Sequence, residues 1–391
     1  MLRDRRFVIA GALASISLFG CGGGEMAEAP AEPVGTHIAF VGTYTQADAK
    51  GIYAYRYDAH SGSMASLGLV AESPNPAFLA LHPNGEYLYA VNEGDPDSPT
   101  EGSVSAFSIN KENGQLTLLN KVDSMGTSPC HLVLDHTGKF LFVANYTAGS
   151  VGSWRIQPDG SIGELASLIQ HQGSSVHERQ ASPHAHEVVV SKDNTRLFVP
   201  DLGMDKVMIY QINADTGELT ANNPAAAVLT PGTGPRHMEF HPDGTHAYVI
   251  GEINSTITTF DFDPATAAFT SKQIVSTLPE GFTGDTSTAE IEVSSDGKFV
   301  YGSNRGNDTI AVFAVDPEAK TLMPVEYAPI QGQTPRNFVI DPSGAYLFSE
   351  NQNTNNIVQF SRDASTGKLT PTGQVLTEVA SPVCMIFVPT N

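Results

Sequence analysis

Histidine, arginine and glutamate stand at the borders of several apolar stretches between residues 184 and 305. His184 and Arg236 each lie at the start of such a stretch, and Glu252 and Arg305 each lie at the end of one. An imidazole transfers protons near neutral pH, and a guanidinium binds a carboxylate or phosphate through two parallel hydrogen bonds. These residue types suit acid–base chemistry on an anionic substrate, provided that the fold brings them together.

A recurring phrase defines the elements that carry these residues. Each copy starts with a strand of alternating apolar residues, turns at a glycine and ends in a second apolar strand; the copies start at 76, 129, 183, 235, 289, 335 and 382. Turns such as Asn84-Gly85 and Asp243-Gly244 are typical of hairpins. A third and a fourth strand follow within the unit. A period of about 50 residues with four strands per unit is typical of a propeller blade.

The two ends of the chain complete the pattern. The copy at 382 contains only its first strand, and the segment from His37 to Ser73 supplies three more strands. The sequence therefore predicts an all-β fold, a seven-bladed β-propeller with four-stranded blades, closed by one C-terminal and three N-terminal strands. Such closure removes the exposed edges that a linear array of sheets would keep.

The predicted blades gather a ring of polar residues at one mouth of the central channel. The first strand of a blade starts where the second strand ends, so both positions face the same mouth in every blade. These positions hold His131, His184, Arg236, His237, Glu290, Arg336 and Asn337, and Glu93, Tyr146, Asp201, Glu252, Arg305 and Glu350 with four asparagines, Asn92, Asn145, Asn304 and Asn351. The asparagines are expected to satisfy backbone groups between blades. The charged residues differ from blade to blade, which favours a single asymmetric site, since buried charge is costly.

Composition and missing motifs exclude several classes of protein. The chain has 42 acidic and 21 basic residues, a net charge of -21 that disfavours nucleic acid as a partner. It lacks the Gly-x-Ser-x-Gly motif of serine hydrolases, the His-Glu-x-x-His motif of zinc proteases and a glycine-rich phosphate-binding loop. His184 and His186 could lie on the same face of a strand and bind a metal ion together, but the sequence does not identify a third ligand. Neither a metal nor a cofactor is expected. Cys130 and Cys384 are expected to be reduced and packed, and Trp154 to lie between blades.

The N-terminus has the pattern of an export signal. A basic start precedes an uncharged, mostly apolar run from Phe7 to Gly20 that is short for a membrane span, and its end at Cys21 resembles a bacterial lipobox. The predicted organisation is a signal peptide at 1–21, a flexible tether at 22–35 and the propeller at 36–391. The protein is expected to be exported, to face the periplasm or the cell exterior, and to touch the membrane only through a lipid on Cys21.

The ordered set of motifs resembles a known family. Pro-His at 183, Gly-Pro-Arg-His at 234, Glu-Ile-Asn-Ser at 252, Ser-Asn-Arg-Gly at 303 and Pro-Arg-Asn-Phe at 335 look like the seven-bladed lactonase family, which includes bacterial 6-phosphogluconolactonase and fungal carboxy-cis,cis-muconate cyclase. The resemblance covers about residues 36–391. It implies hydrolysis of a sugar-acid lactone and, motif by motif, a catalytic set of His184, Arg236, Glu252 and Arg305. His237 and Arg336, in matching motifs, would bind substrate.

Those residues fit the demands of lactone hydrolysis. His184 would activate water, Glu252 would orient that histidine or act as the base, and Arg236 and Arg305 would stabilise the oxyanion and hold an anionic lactone. Their side chains are expected to be only partly buried, and the protein to be a monomer. Two alternatives remain open at this point: a lactonising cyclase or isomerase that runs the reaction in reverse, and a non-catalytic propeller lipoprotein that binds a partner at the surface.

Overall fold

Seven four-stranded antiparallel sheets form the fold. The computed structural model describes residues 36–45, 48–95, 97–98 and 100–390. In chain order, the strands of the closing blade and of blades 1 to 3 are β1 (His37–Thr43), β2 (Gly51–Asp58), β3 (Ser63–Glu72); β4 (Pro76–Leu81), β5 (Tyr87–Glu93), β6 (Gly102–Ile109), β7 (Leu116–Asp123); β8 (Pro129–Leu134), β9 (Phe140–Asn145), β10 (Ser150–Ile156), β11 (Ile162–Gln170); β12 (Val189–Val190), β13 (Arg196–Asp201), β14 (Lys206–Ile212) and β15 (Leu219–Val228).

The remaining blades continue the same order, from the channel outward. Their strands are β16 (Pro235–Phe240), β17 (His246–Gly251), β18 (Thr256–Asp263), β19 (Ala268–Ser276); β20 (Ser287–Val293), β21 (Phe299–Arg305), β22 (Thr309–Val315), β23 (Leu322–Pro329); β24 (Pro335–Ile340), β25 (Tyr346–Asn351), β26 (Asn356–Arg362), β27 (Leu369–Leu376); and β28 (Pro382–Pro389) of the closing blade. The predicted all-β, seven-bladed propeller is confirmed.

The closing blade joins the two ends of the chain. Its sheet has the order β28-β1-β2-β3, and β28 pairs antiparallel with β1 from His37 opposite Pro389 to Thr43 opposite Pro382. The predicted closure by one C-terminal and three N-terminal strands is therefore confirmed. In the part of the chain that the structure describes, no helix is long and apolar enough to cross a membrane. The predicted signal, the tether and Cys21 lie outside the described residues.

The innermost strand of blade 3 is shorter than the repeat predicts. Only Val189 and Val190 form β12, and a single bridge joins Ala185 to Asp201 further along. The backbone of His186 donates to Pro200 O at 2.9 Å, but proline has no N–H with which to complete the pair. The chain from 183 to 188 therefore runs beside β13 without regular strand pairing, and the segment before it is free to form a long loop.

Apolar side chains from neighbouring blades pack into the interfaces between them. Trp154 is 2% exposed and packs with Tyr89 and Val91 between blades 1 and 2, as predicted. The Tyr89 hydroxyl donates to Gly160 O at 2.9 Å, so a buried polar group is satisfied across the same interface. Cys130 and Cys384 are both free and buried, as expected. Packing of this kind makes the ring a rigid frame for the channel mouth.

Candidate active site

A buried carboxylate stands at the centre of the channel mouth between two guanidinium groups. Glu252 Oε2 lies 3.1 Å from Arg236 Nε and 3.1 Å from Arg305 Nη2. Arg236 is the second residue of β16, Glu252 follows β17 of the same blade, and Arg305 ends β21 of the next blade. The hairpin geometry of blade 4 and its contact with blade 5 thus bring three of the four predicted catalytic residues together.

Backbone groups of blade 5 hold both guanidiniums in place. Arg236 Nη1 donates to Ala289 O at 2.7 Å, and Arg305 Nη2 donates to Thr288 O at 2.6 Å. Both carbonyls belong to β20, the innermost strand of that blade. The arginines are therefore fixed by the propeller frame and by Glu252 at the same time, which pre-organises their charge at the mouth.

The site is more deeply buried than expected from the sequence. Glu252 is 5% exposed and Arg236 is 3% exposed, so the expectation of partly buried side chains is wrong for these two residues. The sequence places them correctly at strand ends, but those ends are covered by neighbouring blades and by a loop of blade 3. Burial makes the Glu252–arginine contacts part of the stability of the protein as well as of its site.

The charges around Glu252 determine its protonation. Burial alone would raise the pKa of its carboxyl group, but Arg305, Arg236 and a third arginine, Arg179, together lower that pKa to about 2. Burial lowers the pKa of Arg305 to about 10, at which it is still protonated at neutral pH. The mouth therefore holds one carboxylate among three cationic groups, a local excess of positive charge on a strongly acidic protein.

Arg179 is a site residue that the sequence reasoning missed. Its Nη2 lies 2.5 Å from Glu252 Oε1 and donates to the Tyr146 hydroxyl at 3.1 Å. It belongs to the β11–β12 loop, residues 171–188, outside the strand-end positions at which the repeat places polar residues. The signal that could have found it is the length of this loop, which is longer than the links between the other blades and rich in polar residues.

The β11–β12 loop is tied down by two buried aspartates. Asp201 accepts from His171 Nδ1 at 2.6 Å and from the backbone N–H of His184 at 2.8 Å. Asp205 accepts from Ser175 Oγ at 2.5 Å and from Gln180 Nε2 at 2.8 Å. Asp205 also accepts from the backbone N–H groups that precede β16. The same side chain therefore fixes the loop that carries Arg179 and the start of the strand that carries Arg236.

His184 lies on the same loop, beside Arg179. Its ring stacks on Tyr146 at 4.6 Å between centroids, and its Nδ1 lies 3.0 Å from Tyr146 O. A carbonyl oxygen only accepts, so Nδ1 carries the proton and Nε2 keeps its lone pair. Nε2 has one weak neighbour, Ser182 Oγ at 3.5 Å. Tyr146 and Arg179 link this histidine to Glu252, so all four predicted catalytic residues border one sector of the mouth.

The two predicted substrate-binding residues lie further inside. His237 is 2% exposed; its Nδ1 lies 2.8 Å from Glu290 Oε1, and its Nε2 lies 3.3 Å from Arg236 Nη1. Both ring nitrogens are thus committed to protein partners. The Arg336 guanidinium lies 5.1 Å from the centre of the Tyr44 ring and borders a small inner cavity shared with His237.

The asparagines of the ring have the structural role that was expected for them. Asn145 donates to Ser124 O at 3.0 Å and Asn304 donates to Thr277 O at 2.8 Å. Asn92 makes the equivalent bond to Pro74 O at 2.8 Å. Each amide thus satisfies a carbonyl in the link that leads into its own blade, which leaves the charged residues for chemistry.

Three histidines line the channel below the arginines. The rings of His131 and His186 lie 5.4 Å and 5.2 Å from that of His237. Burial lowers the pKa of all three imidazoles, which keeps them neutral beside the cationic layer. Among the residues that the structure describes, no group of three or more His, Cys, Asp or Glu side chains is arranged to hold a metal ion.

Comparison with known proteins gives a consistent set of matches. A family model described as a seven-bladed β-propeller lactonase matches residues 38–387. The chain is 36% identical over 351 residues to a 6-phosphogluconolactonase of Bacillus subtilis, covering 90% of this chain and 98% of that one. It is also similar to the solved structure of a periplasmic gluconolactonase of Pseudomonas aeruginosa, with 34% identity, a TM-score of 0.85 and coverage of 91% and 99%.

Proposed function

Because the chain belongs to the seven-bladed β-propeller lactonase family, we propose that it hydrolyses a sugar-acid lactone at the mouth of its central channel, as a 6-phosphogluconolactonase-like enzyme. The observation that carries the proposal is an imidazole whose Nε2 has only one weak neighbour among the described residues, near a cluster of fixed guanidiniums around Glu252. Such a mouth supplies a base that activates water and positive charges that stabilise the oxyanion. Ester hydrolysis needs both.

The reaction proceeds from His184 in this proposal. Nε2 accepts a proton from water while the water oxygen attacks the lactone carbonyl. The carbonyl π electrons move to oxygen and form an oxyanion. When the oxyanion collapses, the ring C–O bond breaks, and the imidazolium returns its proton to the departing alkoxide. The product is the open hydroxy acid, and the histidine ends in its starting form.

The arginines stabilise the charge that develops. Arg305 is the candidate oxyanion donor, because its side chain is 15% exposed whereas that of Arg236 is 3% exposed. Arg236 adds positive charge from beneath and anchors Glu252. Both guanidiniums are held by backbone carbonyls of β20, so little reorganisation is needed when the oxyanion forms. His237 and Arg336 border the small inner cavity together with Arg236.

Glu252 acts as an anchor and not as the base. A carboxylate whose pKa is lowered to about 2 accepts a proton from water poorly, since an effective general base titrates near the working pH. Of the two roles that the sequence allows, proton acceptor or orienting group, the charge environment favours the second. Its partners are the arginines; it reaches His184 only through Arg179 and Tyr146.

A panel of lactones tests this function. Purified protein should release acid from gluconolactone, from its 6-phosphate or from muconolactone at a rate well above the spontaneous one, measured by continuous titration. Incubation with the corresponding open acids and unsaturated acids tests the reverse, lactonising direction. Absence of turnover on every member of the panel in both directions would contradict an enzymatic role and would favour a binding propeller.

We also propose that residues 1–21 are a lipoprotein signal, that 22–35 form a tether, and that the exported enzyme is anchored to a membrane through Cys21 and faces the periplasm or the cell exterior. The export motif and the similarity to a periplasmic gluconolactonase support this location. In a bacterial host, the Cys21→Ala variant should lose the acyl mass of the mature protein and leave the membrane fraction. A mature wild-type protein without lipid would overturn the proposal. The Cys130→Ala variant is the matched control and should keep its lipid.

A further inference from the structure

The Arg179 guanidinium has hydrogen-bond donors that the protein does not use. Its Nη2 binds both Glu252 Oε1 and the Tyr146 hydroxyl. Among the described residues, Nη1 and Nε have no hydrogen-bond partner. The side chain is 42% exposed, whereas that of its partner Glu252 is 6% exposed. Arg179 therefore presents a positive charge with unused N–H donors to solvent at the outer rim of the site.

The other arginines of the mouth do not share this combination. Arg236 is buried and donates to Ala289 O, and Arg305 donates to Thr288 O. Arg336 is held over the Tyr44 ring at the inner cavity. A phosphate or carboxylate that reached these groups would lose most of its hydration, which is costly for a charged group. At Arg179 the same anion keeps part of its water and still receives a charge-assisted hydrogen bond from an unused N–H donor.

The loop holds Arg179 in a defined position. A short 3₁₀ turn, Glu178–Gln180, is closed at its start by His177, whose ring accepts from Arg179 N at 3.2 Å. Gln180 Nε2 is fixed by Asp205 at 2.8 Å and by Leu202 O at 2.8 Å. Arg179 lies on the same loop as His184. It can therefore bind a substrate group that lies at a fixed distance from this histidine, and the loop does not have to move over the substrate.

We propose that Arg179 is the specificity-determining residue that selects lactones with an anionic group outside the lactone ring. This inference rests on the proposed lactonase function and adds to it the residue that distinguishes charged from neutral substrates. The charged group accepts a hydrogen bond from an unused N–H of Arg179 at the rim, and the lactone carbonyl points inward to Arg305. A gluconolactone with a phosphate on its terminal carbon has its charge at the end remote from the carbonyl, as this layout requires.

The test compares substrates that differ only in the phosphate. For wild-type protein, kcat/KM should be higher for the 6-phosphate than for gluconolactone itself. In the Arg179→Gln variant, kcat/KM for the phosphorylated lactone should fall by about 10- to 100-fold, mainly through KM, because a charge-assisted hydrogen bond is lost. The ratio of kcat/KM for the 6-phosphate to kcat/KM for gluconolactone should therefore fall by about tenfold or more, and this ratio cancels any loss of Glu252 positioning that affects both substrates alike. Inorganic phosphate should inhibit the wild type competitively and the variant at least about tenfold more weakly.

Three further variants make the result specific. Arg179→Lys keeps the charge without the planar guanidinium and its fixed N–H directions, and should recover only part of the preference. Arg155→Gln removes an arginine from the outer surface of blade 2, where it donates to Asp215 O, and should change neither substrate. Arg336→Gln tests whether the arginine at the inner cavity determines the preference instead of Arg179. Muconolactone, which carries a carboxylate in place of a phosphate, separates the two anions.

Defined outcomes would overturn the inference. It is wrong if the wild type hydrolyses lactones without preferring the phosphorylated or carboxylated ones. It is also wrong if Arg179→Gln leaves both the preference and the phosphate inhibition unchanged, or if the preference disappears in Arg336→Gln alone. These results differ from failure of the proposed function, in which the wild type turns over no lactone and Arg179 has no selectivity to lose.

Discussion

Replacement of His184 by alanine is expected to lower kcat for lactone hydrolysis by at least about a hundredfold, the usual lower scale for loss of a positioned acid–base group. The Nδ1 of His184 is hydrogen-bonded to Tyr146 O, which leaves its Nε2 to accept a proton from water. Since the same imidazole returns the proton to the departing alkoxide, both halves of the reaction lose their catalyst. KM should change much less, because binding relies on the arginines.

His60→Ala is the matched control for this experiment. His60 lies in the exposed turn after β2, outside the channel mouth, and its loss should leave kcat within experimental error. Steady-state rates with saturating lactone, together with thermal unfolding of each variant, separate a catalytic effect from a folding effect. A folded His184→Ala protein with more than about a tenth of the wild-type kcat would exclude His184 as the base.

The repeat made most of the fold predictable from sequence. Hairpin turns and alternating apolar residues recur with nearly constant spacing, so the blade number and the closure of β28 against β1 follow from local patterns. The same logic places Arg236 and Glu252 together, because they are the two ends of one hairpin. The position of Arg305 beside them is also predictable, because Arg305 occupies the equivalent strand end in the next blade.

The features of the site that the repeat could not predict lie where the chain departs from the repeat. Arg179 lies in a loop with no counterpart in the other blades, and its contact with Glu252 joins residues that are 73 positions apart. The burial of Glu252 was also missed, since it arises from that loop and from the neighbouring blade and not from the strand that precedes the residue. The strand β12 is short because Pro200, on the neighbouring strand β13, has no N–H to donate to it.

Substitution of Glu252 by glutamine is expected to reduce both activity and stability. Glutamine keeps the shape of the side chain but removes the negative charge that pairs with Arg236, Arg305 and Arg179. Breaking a buried ion pair by removing one partner typically costs about 3–5 kcal/mol, because the remaining charges stay desolvated. The arginines would also lose their common anchor, so kcat should fall by at least about a hundredfold through lost positioning.

The dependence of this stability loss on pH identifies its cause. The pKa of Glu252 is about 2 in the folded protein and near its ordinary value of 4.5 in the unfolded chain. A depressed carboxyl pKa contributes stability that is complete above the ordinary pKa and is lost as the pH falls towards the folded one. The difference in free energy of unfolding between the wild type and Glu252→Gln should therefore be largest near neutral pH and should shrink as the pH falls below about 4.5.

Urea unfolding of both proteins at several pH values between about 7 and about 3 measures this difference. Glu280→Gln is the control, because Glu280 is exposed and its replacement should leave the free energy of unfolding unchanged at every pH. A Glu252→Gln protein as stable as the wild type at neutral pH, or a stability difference that does not vary with pH, would show that the carboxylate is not held ionised by the arginines. Retention of full lactonase activity would remove Glu252 from the site, because a carboxylate that positions three guanidiniums cannot be replaced by a neutral amide without releasing them.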